Sequence, residues 1–266
     1  MPPAFTKVFQ HVFDMEISLD PGGVVAFMLV SLRLAVVMFA TPLDAFGKVP
    51  AHIRLFWTLG LGFLLTTGMS QAAVALESVV DLAVAALHEL VIGAVLAFGL
   101  YTAFGAFQLA GRLMDFQAGF GAANLFDPTT NEQNPLIGTI LVMLAAVVFF
   151  TTGLHHLMLK GIWFSFEINP VGSSLPALAM PELIRQFGLM FTLGVMVSAP
   201  IIGVLMLIDA GVAVMSKTMP QMNVYFLFLP LKAVLCFLAL AWVLPILRPL
   251  MLTVMQSSFE FWQNVL

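Results

Sequence analysis

Few side chains in this chain could do chemistry, and each stands in an apolar setting that limits what it can do. Arg33 lies in the middle of the apolar segment 24–40. An arginine at the centre of a membrane-crossing helix costs about 2.5 to 3.5 kcal/mol on insertion scales, so it must meet water, a carboxylate or a carbonyl. It is therefore either a residue on a pathway or a cation paired inside the protein or at a subunit interface, and pairing is the simpler reading. His88 and Glu89 open another apolar run and read as interfacial residues rather than a proton relay. His155 and His156 are adjacent, and neighbours on a helix point about 100° apart, which is wrong for joint ligation of one metal. The lone Cys236 excludes an intrachain disulfide and argues against a cysteine-based metal cluster. No phosphate-binding loop, dinucleotide fingerprint, zinc-protease helix or nucleophile elbow occurs. Nothing in these residues supports an enzyme, and no cofactor is expected.

A different kind of feature stands at 112–135, where the chain reads RLMDFQAGFGAANLFDPTTNEQNP. It is polar, yet it sets Gly119 and Gly121 among Phe116, Phe120 and Phe126. A simple solvated loop has no use for three phenylalanines. The glycines permit backbone conformations that other residues resist, and the rings could close a constriction against water and ions. The plainer alternative is a re-entrant or interhelix loop whose rings pack in the core.

The elements that must position these residues follow from composition. Hydrophobic residues make up 61% of the 266 and charged residues 9%, against about a quarter charged in a soluble domain; the mean hydropathy is +1.04. A crossing helix needs roughly 20 mostly apolar residues. The segments 24–40, 55–76, 90–111, 136–159, 187–208 and 233–247 reach that length or approach it. The expectation is an all-α, polytopic membrane protein of about six long apolar helices forming one unit over residues 1–266. The net charge of -4 is small and scattered, which does not suggest nucleic acid as a partner. The opening MPPAFTKVFQHVFDMEISLD lacks the charged and apolar regions of a cleavable signal, so insertion is expected to use the first internal apolar segment.

Charge does not orient these helices. Alternate loops hold Lys48, Arg54, Arg112, Lys217 and Lys232 on one side and Lys7, Lys160, Arg185 and Arg248 on the other, with none of the bias that sets the orientation of ordinary permeases. Packing signals are clearer. Gly99, Ala103, Ala106 and Ala110 line one helical face and permit close approach of a neighbour, within the chain or in another subunit. Pro200 near the middle of 187–208 is expected to kink that helix.

Further strings carry a resemblance. Lys217, Pro220, Gln221, Met222, Asn223 and Val224, followed by Pro230, Leu231 and Lys232, resemble the signature of the FliR/SctT family of type III secretion export-gate subunits. Arg33 with Pro42, Val49-Pro50-Ala51 and Arg54 looks like the family's opening pattern. Asp127-Pro128 with Pro135, then His155-His156, Ser165-Phe166 and Pro170-x-Gly172, follow in the family's order. Gly111, Gln117, Gly119, Asp127 and Pro128 match the family's central segment. Arg112, Asp115, Ala118 and Phe228 stand where Glu, Gly, Met and Gly are usual.

The resemblance implies a channel plug carried by Phe116, Gln117, Gly119, Phe120, Gly121 and Phe126. It implies a subunit or turn motif at Pro220, Gln221, Asn223, Pro230 and Lys232, with Arg33 as a buried charge. It further implies a FliP-like part over 1–185 and a bent, FliQ-like C-terminal hairpin over 186–266. The implied partners are FliP-like and FliQ-like membrane subunits, cytoplasmic-side export proteins, unfolded protein substrates and membrane lipid, at the flagellar basal body in the bacterial inner membrane. A secondary transporter or permease, or the equivalent subunit of a virulence secretion system, are the alternatives. A transporter needs convergent polar groups at mid-membrane, and the apolar runs supply little beyond Arg33.

Overall fold

The small-residue face of 90–111 predicts a helix that others can approach closely, and in the structure that helix is the central post. The computed structural model describes residues 21–40, 49–68, 78–120, 136–173, 179–218 and 224–265. They form α1 (Pro21–Ala40), α2 (Ala51–Gly68), α3 (Val79–Ala118), α4 (Leu136–Thr151), α5 (Leu154–Ile168), α6 (Met180–Thr218) and α7 (Val224–Val265), with no strand among them. α3 packs against α1, α4, α6 and α7, while α2 lies on α1 and α6 on α7.

Ser78 starts α3 by accepting a hydrogen bond from the Val80 amide at 3.2 Å, which satisfies one of the unpaired first-turn donors. Asp81 adds a negative charge to that turn. From there the seam is built on small residues. A Cβ on Gly99 would meet the indole of Trp262 at 2.6 Å, and one on Gly194 of α6 would meet the Ala106 carbonyl at 2.9 Å. At Gly111 an added Cβ would collide with the backbone of Gly138 in α4. Backbones this close gain dispersion contacts that larger residues would forbid. The expected small face is thus a seam within the chain.

Five of the six apolar segments coincide with unbroken helix over their described residues, and 136–159 is helical on either side of a break at 152–153. Gly22–Phe39, Val79–Ala118, Met180–Thr218 and Phe228–Val265 are long and apolar enough to cross a membrane, and α4 with α5 forms a fifth, bent pair. That pair corrects the continuous helix expected over 136–159: the chain turns by 75° between Thr151 and Leu154. Gly153 sits there at φ 77°, a left-handed conformation that only glycine adopts without strain. The Thr151 and Thr152 hydroxyls donate to the Val147 and Val148 carbonyls at 2.8 and 2.7 Å, so both side chains bond back onto the last turn before the break, where Val148 also accepts from the Thr152 amide at 3.0 Å. Helix continues through Pro200 in α6 and through Pro230, Pro245 and Pro249 in α7, as membrane helices tolerate when neighbours satisfy the freed groups.

The second correction concerns the polar stretch. Residues 112–118 are the last turns of α3, not a loop. The helix ends at Gly119, at φ 87°, whose amide meets the Asp115 and Phe116 carbonyls in the manner of a left-handed glycine cap.

Candidate functional site

The end of α3 is held by polar side chains of the stretch 112–118, which is helical. Asp115 reaches from the last turns of α3 to the first turn of α4, accepting from the Ile137 amide at 3.0 Å and the Gly138 amide at 3.3 Å. It caps a helix other than its own, supplying an anion to unpaired amides at the positive end of α4.

Two residues on, Gln117 donates to Asp209 of α6 at 2.8 Å. Lys232 of α7 meets the same carboxylate, with Nζ at 2.7 Å from Oδ1 and 2.8 Å from Oδ2. Three long helices are thus joined at one carboxylate. Lys232 is 14% exposed and Asp209 44%, so the pair is partly screened and holds position more than it stores energy. Around it Phe120 packs at 5.8 Å from the ring of Phe237, and a Cβ on Gly119 would meet Leu229. Phe116 points away, 83% exposed.

A second polar centre lies in the core between α1, α3 and α5. Arg33 is 0% and Glu89 1% exposed, with Nε at 2.5 Å from Oε2. The remaining guanidinium donors go to the Ser165 carbonyl at 3.0 Å, the Ser165 hydroxyl at 3.2 Å and the Asn169 carbonyl at 3.0 Å. Those carbonyls belong to the C-terminal end of α5, the negative end of its dipole, which favours a cation. Phe166 lies beneath, its centroid 4.0 Å from the guanidinium carbon. Gly93 admits this arrangement, since a Cβ there would meet the Arg33 carbonyl at 2.8 Å. Every face of the cation is occupied, which leaves no open site for a passing ligand.

The structure brings together Gln117 and Lys232, and Gly119 with Phe120, of the residues singled out in the sequence. Phe116 shares the end of α3 but faces outward, and Pro230 stands inside α7 rather than in a turn. Gly121, Phe126, Pro220, Gln221 and Asn223 lie outside the described residues. Two side chains that anchor these polar centres are not singled out by the sequence pattern as such. Glu89 is a buried partner and not an interfacial acid, and Asp209 joins three helices. A signal for the latter exists, because Asp209 is the sole charged residue between Arg185 and Lys217. Among the described residues no group of His, Cys, Asp or Glu is placed to hold a metal ion. The rings of His155 and His156 lie with centroids 4.0 Å apart and planes tilted by 40°.

Fold and site together define a polytopic helical membrane protein, organised around a central helix with one buried ion pair and one polar junction at its end. The sequence model described as "Bacterial export proteins, family 1" matches residues 24–258, and the chain belongs to that family. It is 30% identical over 245 residues to the flagellar biosynthetic protein FliR of Bacillus subtilis (strain 168), covering 91% of this chain and 94% of that one. With the FliR of Escherichia coli (strain K12) it shares 24% over 219 residues, 82% and 84% of the two chains. With the Yop proteins translocation protein T of Yersinia pestis it shares 27% over 155 residues, 57% and 59%.

Proposed function

We propose that this chain is a non-enzymatic subunit of the flagellar type III protein export gate, helping to form and plug the channel through which unfolded flagellar proteins leave the cell. The observation that carries the reading is the match to a bacterial export family over residues 24–258, reinforced by relatives named as flagellar biosynthetic proteins. It works in the bacterial inner membrane at the flagellar basal body, with FliP-like and FliQ-like subunits and cytoplasmic-side export proteins around it. Residues 1–185 supply the FliP-like part and 186–266 the FliQ-like hairpin.

The division of labour follows from the chemistry on the page. A gate needs no catalytic group; it needs apolar helices for its neighbours and a controlled constriction. The plug begins at Phe116, Gln117, Gly119 and Phe120, and the Gln117–Asp209–Lys232 junction fixes its root to α6 and α7. Phe116 is the exposed ring at that root, available to the channel.

The test is a strain lacking the gene, scored for filament assembly and for export of hook and filament proteins; both should be lost and return with the gene. Normal motility and export would overturn the reading. Removal of residues 116–123 should make membranes carrying the assembled gate leak ions, whereas unchanged conductance would remove the sealing role. The similarity to the Yersinia translocation protein favours one second reading, the equivalent subunit of a virulence secretion system. In that case motility survives the deletion and secretion of virulence proteins does not.

A further inference from the structure

α1, α4, α6 and α7 pack around α3, yet they leave one of its faces uncovered, and the character of that face changes halfway along. Its first turns show Val80, Val84 and Leu87, at 68%, 46% and 58% exposed. From Val95 to the end of the helix the exposed positions are Tyr101, Gln108, Arg112 and Phe116 alone. Their spacings of seven, four and four residues place the four side chains on one side of a helix. An apolar face thus gives way to a phenol, an amide and a guanidinium, and it ends on the ring of Phe116 at the root of the plug.

The chemistry of this half-face selects what covers it. Arg112 forms no ion pair with another described residue. The nearest acid along the helix, Asp115, is buried and spends its oxygens on the Ile137 and Gly138 amides, while Asp209 and Lys232 neutralise each other. The guanidinium is therefore an uncompensated cation on the outside of the chain. Hydrocarbon does not accept one, and charges on membrane helices face water-filled cavities or a partner. Close helix seams in membranes are built on small residues, and α3 has spent those within the chain, with Gly99 against α7, Ala106 against α6 and Gly111 against α4. The open half-face carries long side chains instead, which hold a neighbouring backbone away and suit water.

We propose that the Tyr101, Gln108 and Arg112 face of α3 is wall of the water-filled export channel on the approach to the plug, and that Arg112 gives this wall a preference for anions. The inference rests on the export-gate reading and adds to it a residue that decides which charges pass easily. A fixed guanidinium beside a water path attracts anions and repels cations. An unfolded chain threading past it has its acidic segments held and its basic segments repelled, with Tyr101 and Gln108 offering hydrogen-bonding groups to the passing backbone.

Two measurements on the assembled gate test this. In the first, a bilayer-impermeant methanethiosulfonate is applied to gates carrying Gln108→Cys or Arg112→Cys, with Leu207→Cys on the outer face of α6 as the covered reference. The native Cys236 is buried, so the parent should give no background. Both α3 thiols should react faster than the reference; rates no faster than at Leu207 would assign the face to a partner subunit and overturn the proposal. In the second, gates lacking residues 116–123 are placed in planar bilayers under a potassium chloride gradient at about 0.01 M, where a fixed charge is felt over roughly 30 Å. The reversal potential should show chloride preferred over potassium, lose that preference in Arg112→Gln and reverse sign in Arg112→Glu. Arg112 is exposed, so these variants should assemble and melt as the parent does. A reversal potential that ignores the charge at 112, in a gate that conducts and a strain that exports, would overturn the wall assignment and leave the export reading standing. Normal export in the absence of the protein would remove both.

Discussion

Arg33 illustrates how a cation is accommodated in an apolar core. Taking the guanidinium and the Glu89 carboxylate out of water costs several kcal/mol for each ion, and their attraction offsets this only if the remaining donors are satisfied. Here Nε meets Glu89 and the terminal nitrogens meet Ser165 and Asn169, so the condition holds. The pair is accordingly more costly to break than to replace. Glu89→Leu should destabilise the chain by about 3 to 5 kcal/mol, because it strands a buried cation, while the double variant Arg33→Met with Glu89→Leu should lose much less than the two single changes summed. Thermal melting of the four proteins in one detergent measures this, and additive losses would show that the pair is not coupled. Sequence reading found Arg33 because a charge amid apolar residues is conspicuous. It missed Glu89 because an acid at the edge of an apolar run looks interfacial, and only the approach of α1 to α3 buries it.

At the scale of the element, the helices were legible from apolar length, and their ends and breaks were not. Arg112, Asp115 and Gln117 made 112–118 look like the start of a loop; the helix continues because Asp115 and Gln117 find partners on α4 and α6. Partners on other elements are invisible to local pattern. Gly153 gave no warning either, since a glycine in an apolar helix is ordinary until the chain is seen to turn there. The central segment as a candidate site was likewise half readable: its residues stood out by type, whereas Asp209, which anchors them, lies 92 positions from Gln117. The closest helix approach yields a clean prediction. Gly111→Ala must push α4 away, because its Cβ meets the Gly138 backbone and not a side chain that could swing aside. Overpacking of this kind costs about 1 to 3 kcal/mol. Gly188→Ala in α6 meets nothing within 4 Å and should leave stability unchanged or raise it by up to about 1 kcal/mol. Equal effects of the two substitutions on the melting temperature would refute the close approach.

The whole molecule carries a tension between helix length and membrane thickness. α3, α6 and α7 have 40, 39 and 42 residues, about 60 Å each, twice the roughly 30 Å of a hydrocarbon core. Helices this long extend beyond that core or lie oblique to it. Their outer faces remain apolar: Leu207 of α6 is 75% and Trp242 of α7 79% exposed. Apolar surface of this size marks contact with lipid or with partner proteins. For a subunit of an export gate the expected cover is partner protein, and Leu207 provides the test. Since its side chain contributes little to the chain's own core, Leu207→Gln should shift stability by no more than about 0.5 kcal/mol while lowering co-isolation with the other membrane subunits. The same substitution at buried Leu205 should instead damage the fold. Full recovery of the partners by Leu207→Gln, with melting unchanged, would assign this face of α6 to lipid and move the subunit contacts elsewhere on the molecule.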